Sequence, residues 1–109
     1  MAYDEGLAER VRDLFKGKRG VTEQKMFGGL CFLLNGNMVV GISKNELMIR
    51  YAHEQHDEVM AMRHVRAMDF TKKSMKGFAF VDARALDSQA ELEAWVERCV
   101  RYVSKLPKK

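Results

Sequence analysis

The stretch from residue 25 to residue 42, KMFGGLCFLLNGNMVVGI, constrains the fold more than any other part of this sequence. Two apolar runs rich in Met, Phe, Leu, Val and Ile flank the dipeptide Asn35-Gly36. Asn-Gly between apolar runs is a strong hairpin signal, because both residues of such a tight turn must accept positive φ. The stretch therefore predicts strands over residues 24–34 and 38–42, joined by a turn.

The dipeptide Gly28-Gly29 in the first run raises an alternative, because glycine-rich loops also wrap phosphates. Those loops bind phosphate where a helix begins directly after them and points its free N–H groups at the anion. Here the following residues, 30–34, are apolar and show no helical period. We therefore interpret Gly28-Gly29 as a bulge, a sharp bend or a close backbone approach within a sheet.

The sequence on either side of residue 42 extends this sheet into a meander. Residues 43–45 predict a second turn, and residues 46–51 predict a strand in which apolar and polar positions partly alternate. Residues 66–77 carry Lys, Ser, Thr and Gly, which is typical of a loop with room for one short strand. Residues 76–82 predict a further strand.

Three segments predict helices. In the first, Asp4 is positioned to cap the N-terminus, and Gly17 follows the last periodic residue. The second covers residues 53–62. The third begins at Ser88, which stands three residues before a glutamate in a capping-box pattern, and Pro107 follows it. The apolar positions of the first and third segments are Leu7, Val11, Leu14, Phe15, Leu92, Trp95, Val96, Cys99, Val100 and Val103.

These elements predict an α+β fold, a two-layer α/β domain with a mostly antiparallel meander sheet and flanking helices. One sheet face should pack on the helices, and the other should be at least partly covered or wet. With 109 residues, the chain is expected to form a single domain over residues 1–109, in which residues 105–109 form a frayed tail.

Compartment and redox state follow from what the sequence contains. No signal-peptide pattern opens it, and no apolar run approaches the ~20 residues that span a bilayer. We therefore expect a cytoplasmic protein without membrane contact. Cys31 and Cys99 are far apart in the sequence and predict two free, buried thiols.

The formal net charge of +4 is concentrated in residues 63–76 and in the C-terminal tail. A local basic cluster is a candidate for contact with the phosphates of a nucleic acid or with another anion. No aromatic stacking platform accompanies these charges, so a solvated basic loop is the competing interpretation. The candidate contact residues are Arg63, Arg66, Lys72, Lys73 and Lys76.

The internal methionines have two interpretations. Methionine is flexible and polarisable, so a group of methionines can form an adaptable contact surface, but it also fills gaps in a core. The residues concerned are Met26, Met38, Met48, Met60, Met62, Met68 and Met75. We expect core filling for most of them.

The string His53-Glu54-Gln55-His56 invites comparison with a metalloprotease helix. That motif needs histidines at i and i+4, whereas these stand at i and i+3. A metal site using His53, His56, Asp57 and His64 is a weaker alternative, since it lacks cysteine ligands and regular ligand spacing. The sequence also holds no Gly-x-Ser-x-Gly elbow. We therefore expect no catalytic residues, no metal and no cofactor, and a protein that is not an enzyme.

Several short motifs occur in a specific order along the chain. They are Lys25-Met26-Phe27-Gly28-Gly29, Asn35-Gly36, Leu47-Met48-Ile49-Arg50, Met68-Asp69-Phe70-Thr71, Met75-Lys76-Gly77-Phe78 and Trp95-Val96. Together they resemble the N-terminal domain of the TfoX/Sxy family. The resemblance implies a compact two-layer domain, similar to the YjbR-like group. It also implies a link to competence regulation, where TfoX-type proteins act as co-activators alongside a cyclic-AMP receptor protein at promoters.

Full-length regulators of that family carry a second domain that resembles a helix-hairpin-helix unit, and we expect this chain to be a stand-alone first domain. The family brings no established catalytic residues. We therefore predict a non-catalytic regulatory module that contacts another protein, either the transcription machinery or a second copy of itself. The alternatives are a nucleic-acid-binding protein that uses the basic segment 63–76, and a small-ligand-binding domain with a pocket beneath the meander.

Overall fold

The computed structural model describes residues 3–26, 28–67 and 77–108 of the chain. In chain order its elements are α1 Glu5–Leu14, β1 Val21–Met26, β2 Gly29–Leu34, β3 Asn37–Ser43, β4 Glu46–Arg50, α2 His56–Met60, β5 Val65–Ala67, β6 Phe78–Val81 and α3 Gln89–Val103. Short 3-10 turns precede α2 at His53–Gln55 and follow β6 at Ala83–Ala85.

The six described strands form a single sheet in the order β1-β2-β3-β4-β6-β5. Every neighbouring pair in it is antiparallel. The first four strands follow one another as a meander, and the helices pack on one face of the sheet. The predicted α+β class, with a meander sheet and flanking helices, is confirmed.

The prediction of one strand over residues 24–34 is wrong, because the chain reverses at Gly28. Met26 pairs with Gly29, and β1 runs alongside β2 from that point. Gly28 has a φ of 73°, a left-handed conformation that glycine adopts without steric cost. Gly29 lies so near β3 that a β-carbon there would be 2.9 Å from the carbonyl carbon of Ile42. The bend and the close backbone approach are both present, but they belong to a hairpin turn.

The other two turns of the meander match the sequence prediction. Asn35 and Gly36 have φ values of 53° and 85°, as a two-residue turn with positive φ at both positions requires. Leu34 pairs with Asn37 across this turn. Lys44, with a φ of 55°, lies at the predicted second turn between β3 and β4.

Both long helices begin at the predicted caps. The Asp4 carboxylate accepts a hydrogen bond from the backbone N–H of Leu7 at 3.2 Å, and the Ser88 hydroxyl accepts one from the backbone N–H of Glu91 at 3.0 Å. These bonds satisfy N–H groups that have no partner inside a helix. Among the described residues, no helix is both long and apolar enough to cross a membrane.

The predicted helix over residues 53–62 is shorter than expected. A 3-10 turn occupies its first three residues, and α2 continues for only five more. The short strand foreseen in the loop 66–77 is β5, at the edge of the sheet. The remainder of that loop, residues 68–76, lies outside the described residues.

The larger core lies between the sheet and the helices. Alternate residues of the strands point into it, and the Phe32 ring of β2 stacks on Phe15 with centroids 5.6 Å apart. From α3, Leu92, Val96 and Cys99 face the sheet. Burying a side chain of this size stabilises a fold by about 1.5–3 kcal/mol.

A second apolar cluster lies on the opposite face of the sheet. Its buried members are Cys31, Met38, Met48 and Phe80. Core filling is therefore the role of Met38 and Met48, and Met26 packs partly buried against the same cluster. Met60 is half-buried against the larger core, and Met62 is 38% exposed. Met68 and Met75 lie outside the described residues.

The C-terminal segment, where we expected a frayed tail, is described as far as Lys108. Leu106 packs against the larger core. The carbonyl oxygen of Pro107 accepts a hydrogen bond from the side-chain Nδ2 of Asn37, at 2.9 Å. Residues 106 and 107 thus contact the body of the domain.

Candidate functional site

The candidate anion-contact residue Arg66 is engaged within the fold. Its Nη2 and Nε donate to the two carboxylate oxygens of Glu46 on β4, at 2.6 and 3.1 Å. Its guanidinium lies 4.4 Å from the ring centroid of Phe80. The Glu46 side chain is only 17% exposed, so this bidentate pair compensates a largely buried carboxylate. Arg66 therefore neutralises a charge of the sheet surface itself.

The other members of the basic segment are not gathered into one surface by the described residues. Arg63 is exposed in the loop between α2 and β5. Lys72, Lys73 and Lys76 lie outside the described residues. Of the five candidates, the structure therefore places two, and one of those is in an ion pair.

The three histidines have different surroundings. His56 Nδ1 is 2.8 Å from the hydroxyl of Tyr51, while His53 packs so close to Gly77 that a β-carbon there would be 2.7 Å from its ring. His64 has a φ of 65° just before β5. Within the described ranges, no three or more His, Cys, Asp or Glu side chains are grouped as metal ligands would be.

Tyr51 is a buried polar residue that the sequence prediction did not single out. Its hydroxyl lies 3.3 Å from the carbonyl oxygen of Phe78, to which it donates, as well as near His56. Burial raises the pKa of Tyr51 to about 12, and Cys99 adds to the effect. The direction of the Tyr51–His56 hydrogen bond is set by the tautomer of His56. This pair fastens the segment before α2 to β6.

The two thiols are free and buried, as predicted. They lie on opposite faces of the sheet, Cys31 in the smaller cluster and Cys99 in the larger one. Burial raises the pKa of Cys31 to about 11 and that of Cys99 to about 12. Both are therefore protonated at neutral pH, and a nucleophilic role is disfavoured because the thiolate is the reactive form.

Two clefts of the described surface lie on the helix side. A cleft of about 890 Å³ separates α3 from the segment before and within α2, and its lining includes Glu58, Glu97, Arg98 and Arg101. A slot of about 230 Å³, lined by apolar and charged side chains in similar measure, lies between α1 and α3. Neither lies beneath the meander, where the alternative of a small-ligand-binding domain would place its pocket.

The motif Lys25–Gly29 forms the end of the first hairpin. Lys25 is exposed, Met26 packs on the smaller cluster, and Gly28 and Gly29 shape the turn and its approach to β3. Phe27 lies outside the described residues. Backbone geometry thus explains the two glycines of the motif.

Comparison with protein families shows to which family this chain belongs. The family model of the TfoX N-terminal domain matches residues 13–102, which is most of the chain. The chain belongs to the TfoX N-terminal domain family. Comparisons with curated proteins and with solved structures give no match. The predicted recognition of the family is confirmed, and the TfoX N-terminal domain described here contains the hairpin, the sheet and nearly all of α3.

The surface of this TfoX N-terminal domain that sequence reasoning missed is β1. Its residues 22–25 are all exposed, whereas the neighbouring strand β2 is almost wholly buried. β1 ends the sheet, and no other strand of the described residues pairs with its outer edge. The signal was available in the sequence, because the polar run TEQK before the apolar β2 is typical of an edge strand.

The edge strand is fixed to the helix layer by one ion pair. Arg12 of α1 donates from Nε and Nη2 to the two carboxylate oxygens of Glu23, both at 2.7 Å. The same guanidinium contacts Glu9. The hydrogen bond from Arg12 lowers the pKa of Glu23, although partial burial opposes it, so Glu23 is ionised at neutral pH. The ion pair therefore holds β1 against α1 and fixes the position of the negative charge of Glu23.

Proposed function

We propose that this TfoX N-terminal domain is a non-catalytic regulatory module that acts by binding other proteins in transcription control. The free polar edge of β1 carries the proposal. An edge strand offers a row of backbone donors and acceptors to another chain, which is a recurrent mode of protein recognition. The six-residue length of β1 and the exposure of its four central residues make this edge available.

The charges of the described residues favour protein contact over nucleic-acid contact. Arg12, Arg66 and Arg98 each lie in an ion pair with a glutamate of the same domain. Arginines that already contact carboxylates are poor anchors for phosphate, because a new contact has to replace the old one. The buried, protonated thiols support the non-catalytic part of the proposal.

Site-specific photo-crosslinking in cells tests the proposal. Benzoylphenylalanine at Gln24, in the middle of the exposed edge, should give protein adducts that nuclease does not remove. Mass spectrometry should identify them as a transcription protein or a second copy of the chain. The same group at Ala94, which is exposed on α3, serves as the matched control. Adducts at Ala94 without any at Gln24 would contradict the proposed surface.

A salt titration of duplex DNA binding tests the nucleic-acid alternative. Phosphate contacts make log K fall with log salt by about 0.9 for each contact. We expect weak binding that Arg63→Ala changes little at physiological salt. Tight, sequence-selective binding at that salt would replace our proposal with the nucleic-acid function.

A further inference from the structure

Alternate residues of β1 point their backbone N–H and carbonyl groups away from β2, toward the open edge of the sheet. Met26 pairs with Gly29 where the hairpin closes, and the pair that closes a tight hairpin exchanges both backbone hydrogen bonds. The same alternation holds at the other end of the hairpin, where the carbonyl oxygen of Gly20 accepts a hydrogen bond from the N–H of Asn35 at 2.9 Å. Even-numbered residues of β1 therefore bond to β2. The odd-numbered residues Glu23 and Lys25 point their N–H and carbonyl groups outward.

The side chains of the same two residues carry opposite charges on one face. Glu23 lies on the helix face, where it contacts Arg12, and Lys25, two residues on, lies on that face too. Both are exposed. An antiparallel partner strand meets this edge with its own residues in reverse order, so the charge pattern determines which registers of self-pairing are favourable.

Any two-fold axis through a residue of β1 places outward backbone groups opposite each other, and the axes at Glu23, Gln24 and Lys25 are those that centre the pairing on or beside the two charged residues. An axis at Glu23 sets Glu23 against its own copy, and an axis at Lys25 does the same for lysine. Both are disfavoured, because like charges directly opposite each other repel. An axis at Gln24 instead sets Glu23 of each copy against Lys25 of the other, and this register forms two opposite-charge pairs.

We propose that two copies of this chain associate through β1, antiparallel, about a two-fold axis at Gln24, so that their sheets become continuous. The inference rests on the proposed function and names the partner as a second copy. In the dimer, each Glu23 lies between Arg12 of its own chain and Lys25 of the second copy. On the opposite sheet face, Thr22 lies across from Met26, which is already partly buried against the smaller cluster.

The interface is small, and this determines the expected affinity. One strand pair buries less than the ~1,200 Å² that separates stable complexes from weak, transient ones. We therefore expect reversible dimers with a Kd of about 10–1000 µM. The exposed charges on β1 then select the register of pairing, because they disfavour other pairings of this edge and favour one.

Charge reversal with a mixing step tests the dimer. Lys25→Glu leaves two like-charged pairs across the interface, and so does Glu23→Lys, so each variant alone should self-associate about 10-fold more weakly in sedimentation equilibrium. A one-to-one mixture restores both opposite-charge pairs and should form heterodimers within about threefold of the wild-type affinity. Lys18→Glu, the same charge change at an exposed residue outside β1, should leave dimerisation unchanged.

Disulfide trapping tests the register independently of charge. Gln24 lies opposite its own copy at a non-hydrogen-bonded position, where the two Cα atoms are about 4.5 Å apart, within the range of a disulfide. Gln24→Cys should therefore form covalent dimers under mild oxidation. Thr22→Cys should not, because the two copies lie four positions apart along the strands. Both cysteine variants are made in a Cys31→Ala background, because Cys31 lies directly opposite Gln24 on β2 and would compete for a cysteine at that position. The native Cys99 is buried on the other sheet face and should not contribute.

Several outcomes would overturn the dimer. They are a wild type that stays monomeric up to about 1 mM, reversal variants that dimerise normally, a mixture that does not recover, and Thr22→Cys trapping as fast as Gln24→Cys. Circular dichroism of each variant shows that it is folded. The proposed function is distinguished by the crosslinking at Gln24, because a monomeric wild type that gives adducts with a transcription protein refutes the dimer alone.

Discussion

Asn37 and Pro107 join the central hairpin to the end of the chain. Asn37 Nδ2 donates to the Pro107 carbonyl oxygen at 2.9 Å, and Asn37 as a residue is only 4% exposed. A buried amide is costly to leave without a partner, so this bond both satisfies Asn37 and holds the last residues against the domain. The segment after α3 is thus tied to the sheet by a residue next to the Asn35-Gly36 turn.

We expect Asn37→Ala to lower the free energy of unfolding by about 1–2 kcal/mol, because it removes the bond and leaves the Pro107 carbonyl without its donor. Urea denaturation measures the loss. A chain ending at Lys105 should lose as much or more, since it also lacks the packing of Leu106. In that shortened chain Asn37→Ala should cost clearly less than in the full chain. Equal costs in both backgrounds would show that the two residues are not coupled.

The adjacent glycines of the first hairpin provide a matched pair. Gly28 has positive φ with open space around it, so Gly28→Ala should cost only the backbone strain, about 1 kcal/mol. Gly29→Ala puts a β-carbon against the Ile42 carbonyl and should cost about 3 kcal/mol. Urea unfolding compares them. If Gly29→Ala is no worse than Gly28→Ala, then Gly29 at the start of β2 does not approach Ile42 of β3 as closely as described.

These glycines also show where sequence reasoning succeeds and where it stops. The Asn35-Gly36 turn was predictable because both residues must accept positive φ, which few residue pairs do. At Gly28 the same requirement falls on a glycine inside an apolar run. β2 is buried on both faces, so its residues do not alternate and period-2 patterning cannot locate the strand boundary.

Sequence reasoning is limited in the same way for the charged residues of the candidate site, because it does not reveal their partners. Sequence alone grouped Arg66 with its basic neighbours, whereas its partner Glu46 stands 20 residues away along the chain. Only the register of the sheet brings the two together, because β6 lies between their strands. Similarly, the polar run 22–25 marks an edge strand in the sequence, whereas the contact of Glu23 with Arg12 depends on how β1 packs beside α1 in the fold.

Neither thiol should react in the native protein. Cys31 and Cys99 are both fully buried, and burial raises the pKa of each to about 11 and about 12. At pH 7.5 we expect Ellman's reagent to label both only as fast as the chain unfolds, and at once in 6 M guanidinium. Single Cys→Ala variants assign the signals. Rapid native labelling of either thiol would contradict its placement in the core.

The ion pair of Arg12 and Glu23 should make stability depend on pH in one direction. Because the folded-state pKa of Glu23 is lowered from its ordinary value of 4.5, the unfolded chain binds more protons in acid. The stabilisation is therefore present above about pH 4.5 and is lost as pH falls through the folded pKa. Both side chains are more than a third exposed, so screening limits it to about 0.5 kcal/mol.

Glu23→Gln removes this carboxylate with little change in shape. We expect the stability gap between wild type and this variant, measured by urea unfolding, to narrow from pH 6 to pH 3 and also in 0.5 M salt. Glu54→Gln makes the same charge change at an exposed residue on the other side of the domain. Working at about 1 µM protein keeps self-association out of the comparison. A gap that widens as pH falls would show that Arg12 does not stabilise the ionised form of Glu23.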